Sequence, residues 1–165
     1  MDVVKISMGV GFYMEFLREL FANKVFLAGL FGWCVAQVSK TIIVLIITKK
    51  FEIERLFGGG GMPSSHSATV CGLATATGMI YGGGSIEFAF MFWFAMIVMY
   101  DAMNVRMETG RQGKALNELI EVMKTMGKDV SPEDRFKELV GHTPLQVLVG
   151  AGTGIVVAVL VCNFL

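Results

Sequence analysis

Residues 25–47 read VFLAGLFGWCVAQVSKTIIVLII, an apolar run long enough to cross ~30 Å of hydrocarbon as a helix rising ~1.5 Å per residue. Its second half carries Gln37, Ser39 and Lys40. A cation at that depth is costly, and it faces a bundle interior or an aqueous cavity instead of lipid. The composition of the whole chain agrees. Of 165 residues, 54% are hydrophobic before the 20 glycines are counted, and 17% are charged where about 25% is usual in soluble domains. Mean hydropathy is +0.62. These values exclude a disordered chain and argue against a small soluble globule. The net charge of zero argues against nucleic acid as a partner. Cys34, Cys71 and Cys162 sit in apolar runs, too far apart for a zinc spacing or a disulfide framework.

Working outward from this run, the sequence predicts an all-α membrane bundle with about four spans, forming one domain. On the N-terminal side, Phe12, Tyr13, Phe16, Leu17, Leu20 and Phe21 recur at helical spacing. They make 9–22 an amphipathic helix suited to the membrane interface, not a signal peptide. Asn23 can cap the first span. Beyond the polar, glycine-rich stretch 49–63, a second span covers 65–81. Its Ala, Thr and Gly content suits the inside of a bundle, where small side chains let helices approach. Gly82, Gly83 and Gly84 turn the chain, and Ser85 can cap a third span over 86–105. The polar segment 107–141 contains a surface helix over 111–126 with Leu116, Leu119, Ile120 and Met123 on one face. The last span is 143–165, with Gly150 and Gly154 as a small-residue packing face. Four spans put 49–65 and 107–141 on one side. Lys49, Lys50, Arg55, Arg106, Arg111, Lys114, Lys124, Lys128, Arg135 and Lys137 lie there, against Lys5, Arg18 and Lys24 opposite. The positive-inside rule places the cation-rich side in the cytoplasm.

The chain has two histidines, and each stands at the start of a predicted span on that same side. One lies in Pro63-Ser64-Ser65-His66, the other in Gly141-His142-Thr143-Pro144; serine, threonine and proline are helix-start residues. Helix N-termini attract anions through unpaired N–H groups and partial positive charge. Two such termini could converge on one phosphate, with Lys40 and Arg106 joining them. The positive helix end favours neutral imidazole, the form a nucleophile needs. The glycines at 58–61 are not closed by G-K-[ST], so they are no nucleotide-binding loop. Two distant histidines with only Asp101 near a span end fall short of a metal ligand set, so neither metal nor cofactor is expected.

Three stretches carry a resemblance. They are Gly-Gly-Met-Pro-Ser-Ser-His-Ser-Ala over 60–68, Tyr100-Asp101-Ala102-x-x-Val105-Arg106 with Gly110-x-Gln112 and Leu116-Asn117, and Glu138-Leu139-Val140-Gly141-His142-Thr143-Pro144. In this order they resemble the divergent type 2 phosphatidic acid phosphatase family, related to acid phosphatases and vanadium-dependent haloperoxidases. The wider superfamily uses K-x6-R-P, P-S-G-H and S-R-x5-H-x3-D, with the last histidine attacking phosphorus and the earlier one protonating the leaving oxygen. The resemblance implies His142 as nucleophile and His66 as acid. It implies Lys40, Arg106, Ser64 and Ser65 as phosphate-binding groups, with Arg55 standing in for a first-motif arginine that is Ile47 here. Gln146 occupies the place of the aspartate that orients the nucleophile.

The expected activity is metal-independent hydrolysis of a phosphomonoester, on a membrane lipid or lipid phosphate, through a phosphohistidine. The rival is a non-catalytic membrane protein that binds phospholipid headgroups, or a transporter or scaffold component. The expected location is a bacterial cell membrane, with a homo-oligomer left open. The orienting role is assigned to Asp101, because a neutral glutamine cannot stabilise imidazolium as a carboxylate does. Asp101 lies five residues before Arg106, a spacing that does not share a helix face, so it is free to meet His142 or a cation such as Lys40.

Overall fold

A computed structural model describes residues 2–49, 61–127, 136 and 141–165, with side chains described from residue 11 onward. Arg55, and with it the proposed substitute for the first-motif arginine, lies outside the described residues. The described residues form six helices and no strand: α1 (Asp2–Ala22), α2 (Lys24–Thr48), α3 (Ser65–Tyr81), α4 (Ile86–Met103), α5 (Val105–Thr125) and α6 (Pro144–Phe164). Three stretches are long and apolar enough to cross a membrane: α2, the nearly continuous α4–α5 rod and α6. With its helical bundle and apolar flanks, this is an integral membrane protein.

Local chemistry sets the helix ends. Asn23 Oδ1 accepts the N–H groups of Val25 and Phe26, at 2.9 and 3.1 Å, and starts α2. Ser85 Oγ accepts the Phe88 N–H and starts α4 after the glycine turn. One boundary differs from the expectation. α5 begins at Val105, not at 111, and only Asn104 separates it from α4. The helical ladder runs through this joint: Asn104 N–H donates to Tyr100 O and Glu108 N–H to Asn104 O, both at 2.9 Å. The polarity of the sequence after Arg106 marks a change of solvent, not an interruption of the helix.

α3 is the centre of the bundle and packs on α2, α4 and α6. Its small residues allow backbone-to-backbone approach. A Cβ on Gly32 of α2 would lie 2.8 Å from the Ala68 carbonyl oxygen, and one on Gly72 of α3 would lie 2.9 Å from that of Ala28. Gly150 and Gly154 of α6 rest directly on the Ser64 and Ala68 carbonyls, so this pair is the packing face read from the sequence. Ala28, Ala76, Val157, Ala158 and Val161 fill one end of the interior, and Val70, Cys71, Ala74 and Ala95 line the contact with α4. Large apolar side chains point outward instead: Phe90, Trp93 and Ile97 on α4, Leu148 and Val156 on α6. That inversion suits a lipid solvent, which gives no hydrophobic drive between helices and leaves packing to small residues. α1 contacts α2 and leaves Phe12, Tyr13, Phe16 and Phe21 exposed. Among the described helices α5 packs on α4, and its stripe of Leu116, Leu119 and Val122 is exposed.

Candidate active site at two helix starts

The two histidines come together because the helices they introduce are the most closely packed pair in the molecule. The Ser64 N–H donates to the Gln146 backbone carbonyl at 3.0 Å, tying the start of α3 to the start of α6. Gly150 lets the two backbones touch at this level. The rings of His66 and His142 stand with centroids 5.8 Å apart and planes inclined by 64°. Both are close enough to Lys40 and Arg106 to be influenced by their charges. The structure therefore brings together His66, His142, Lys40, Arg106, Ser64 and Ser65.

Lys40 projects from α2 and is 1% exposed; its Nζ donates to Gln37 Oε1 at 2.8 Å. The glutamine one turn earlier on the same helix face aims the ammonium without neutralising it. Gly61, at φ 82°, lies over the Lys40 side chain, and a Cβ there would stand 3.2 Å from Cγ. Ser64 is fully buried and caps α3, its Oγ accepting the Ser67 N–H at 3.4 Å. His66 is the second residue of α3, and its buried Nδ1 has no hydrogen-bond partner among the described residues. The Ser67 hydroxyl is likewise buried and without a partner among them.

His142 is 2% exposed and held at every level. Its backbone N–H donates to the Ala102 carbonyl at the end of α4, at 2.9 Å. Gly141, at φ 98°, lies directly on the start of α5; a Cβ there would lie 2.5 Å from the Met107 nitrogen. Thr143 and Gln146 close a capping box at the start of α6: Gln146 N–H donates to Thr143 Oγ1 and Thr143 N–H to Gln146 Oε1. The same Oε1 lies 3.2 Å from His142 Nδ1. Burial holds the imidazole below the ordinary histidine range. The Gln146 hydrogen bond opposes this, Lys40 adds to it, a hydrogen bond with the Gly61 backbone opposes it and Arg106 adds to it. Neutral imidazole is thus favoured near neutral pH.

Asp101, assigned to His142 from the sequence, pairs with Arg106. Its Oδ2 accepts the Arg106 Nε–H at 2.9 Å, with both side chains a little under half exposed. The i, i+5 pair closes across the joint at Asn104, whose φ of −103° and ψ of −64° depart from the regular helix without breaking its ladder. The residue on the nucleophile candidate is Gln146. Its signal was present in Thr143-x-x-Gln146, the sequence form of a capping box, and the Gln37–Lys40 spacing was likewise legible. No three His, Cys, Asp or Glu side chains converge among the described residues. The site instead offers cations, hydroxyls and imidazoles, the groups that hold a phosphate.

Residues 21–157 match the family model described as the divergent PAP2 family. The chain belongs to that family. It is 36% identical over 155 residues to a Bacillus subtilis strain 168 protein named "uncharacterized membrane protein YuiD", spanning 88% of this chain and 98% of the relative. No solved structure matches it. Membership relates the chain to phosphatases. Pro63–His66 and Gly141–Pro144, which carry the resemblance, both lie within the matched residues.

Proposed function

We propose that this divergent PAP2 protein is a metal-independent phosphatase that hydrolyses a lipid phosphomonoester through a phosphohistidine. His142 Nε2 attacks phosphorus while the ester P–O bond breaks. The leaving alkoxide takes a proton from His66. Water then attacks the phosphorus of the phosphohistidine, passing a proton to His66, and the P–N bond breaks to release inorganic phosphate and neutral His142. Lys40 and Arg106 hold the equatorial oxygens, and the Ser64 and Ser65 region at the start of α3 supplies N–H and O–H donors. The observation that carries this reading is the 5.8 Å approach of two histidine rings beside a buried lysine.

The lipid follows from location: an anion site at the mouth of an apolar bundle receives a headgroup while the tails stay in the bilayer. With α2, α3, α4 and α6 as four spans, the cation-rich side and the site face the cytoplasm of a bacterial cell. α1 and the exposed stripe of α5 then lie on the membrane surface. Arg55 is a further candidate for the phosphate. The test is phosphate release by the purified full chain from a panel of lipid phosphates. Release that disappears in His142→Ala supports the proposal, and no release from any substrate contradicts it. A second reading, headgroup binding without turnover, is favoured by the neutral Gln146 in place of a carboxylate. Vanadate or phosphate binding with no turnover would select it.

A further inference from the structure

Asparagine is among the weaker helix formers, because its short amide competes for nearby backbone groups. Asn117 nevertheless stands well inside α5. Its amide holds a residue 19 positions later: Nδ2–H donates to the Phe136 carbonyl, and the Phe136 N–H donates to Oδ1, each at 2.9 Å. The side chain thus pairs with both backbone groups of one residue, as a neighbouring strand would. That requires a donor and an acceptor on one planar group, which an amide carries and a carboxylate does not. Nothing in the proposed reaction accounts for this pair.

Phe136 lies six residues before His142, and a stretch of that length spans at most ~22 Å. Fixing one of them to α5 therefore limits where the backbone of the other can lie. Two further contacts hold the end of this approach to the same α4–α5 rod. Gly141 rests on the backbone of Arg106 and Met107, and the His142 N–H donates to the Ala102 carbonyl at 2.9 Å. We propose that Asn117 is a positioning residue for His142: its amide clasps Phe136 to α5 and so governs how the chain enters the start of α6. Arg106 lies on the helix that carries the clasp, so the nucleophile and a phosphate-holding cation are placed from one element. The clasp is read from hydrogen bonds alone; the roles of His142 and Arg106 rest on the phosphatase reading. Both bonds lie at the surface, and among the described helices α5 packs on α4 alone, so their loss leaves the packing of α2, α3 and α6 intact.

The test compares the purified full chain in lipid nanodiscs with Asn117→Ala and Asn117→Asp. Alanine favours the helix, so a loss in that variant does not come from a weaker α5. Aspartate keeps the acceptor and removes the donor. Hydrogen–deuterium exchange at the Phe136 amide should quicken about 3- to 10-fold in Asn117→Ala, with α3 and α6 unchanged. With a lipid phosphate, kcat should fall about 10- to 100-fold in both variants, the cost of a misplaced group. Inhibition by vanadate should change less than about 3-fold, because Lys40 and Arg106 still hold the anion. Unchanged exchange at Phe136 overturns the clasp. Faster exchange with unchanged kcat, or an equal loss of kcat and vanadate affinity, overturns the positioning role. Without turnover in the unsubstituted chain the phosphatase reading fails, and the His142 ring signal of 15N-histidine-labelled protein then decides, assigned by a His142→Ala sample. A signal shifted or broadened in Asn117→Ala upholds the positioning, and an unmoved one rejects it.

Discussion

At the start of α3 the histidine lies inside the helix, two residues past the Ser64 cap; at the start of α6 it lies just before the Thr143 cap. That offset decides what can hold each ring. A side chain before the cap is within reach of the residue at the third helical position, so Gln146 closes on both Thr143 N–H and His142 Nδ1. A side chain at the second helical position has no such residue beside it, and His66 Nδ1 is buried without a partner among the described residues. A buried polar atom left this way is a group that ligand or water must satisfy. One ring is held by a side chain. The other is anchored through its helix. On the proposed mechanism the first attacks phosphorus and the second protonates the leaving oxygen.

The sharpest way to break this comparison is to remove each ring in turn. His142→Ala should lower turnover by about 10⁴-fold or more with every substrate. His66→Ala should lose about 10²–10⁴-fold on an alkyl phosphate, the usual worth of acid catalysis. It should recover most of that loss on p-nitrophenyl phosphate, whose leaving group needs no proton. Equal rescue of both variants would erase the division of roles.

The fixed ring and the loose ring share Lys40, and its loss should affect binding more than chemistry. Lys40→Met removes a charge-assisted contact worth ~1.5–3 kcal/mol, so inhibition by vanadate should weaken by about 10- to 100-fold. A folded variant with unchanged vanadate affinity would place the anion elsewhere.

How the two helix starts are held together can be tested at Gly150. Gly150→Val drives a side chain into the Ser64 backbone and should separate the histidines, at a stability loss of ~1–3 kcal/mol for overpacking. Gly152→Ala, one step along the same helix in open space, should change thermal stability little. The smallest effect is expected from the caps themselves. Ser64→Ala and Thr143→Ala should each cost ~1 kcal/mol by thermal or denaturant unfolding. Thr143→Ala retains the backbone N–H that holds Gln146 Oε1.

Much of this arrangement was legible from the residues. Apolar run length, the caps Asn23, Ser64, Ser85 and Thr143, and the glycine pair 150/154 place the helices because each is a local, periodic or short-range signal. Both histidines and Lys40 stood out because polar groups at membrane depth need a reason. The partners were harder. The partner of Asp101 was hidden because spacing in a regular helix keeps i and i+5 apart, and the distortion at Asn104 that lets Asp101 meet Arg106 leaves the ladder, and hence the sequence pattern, intact. Gln146 was passed over because it lacks charge, although its position in the capping box governs where its oxygen points. The early start of α5 was hidden because polarity reports the surroundings of a helix, not the continuity of its backbone ladder.

The most direct test of the account is to trap the covalent intermediate. Purified chain is mixed with a 32P-labelled lipid phosphate, quenched in alkali, which preserves phosphohistidine, and mapped by mass spectrometry. The account predicts phosphate on His142, increased in His66-containing protein when product release is slowed, and absent from His142→Ala. Label on His66, or hydrolysis with no labelled histidine under any quench time, would contradict it.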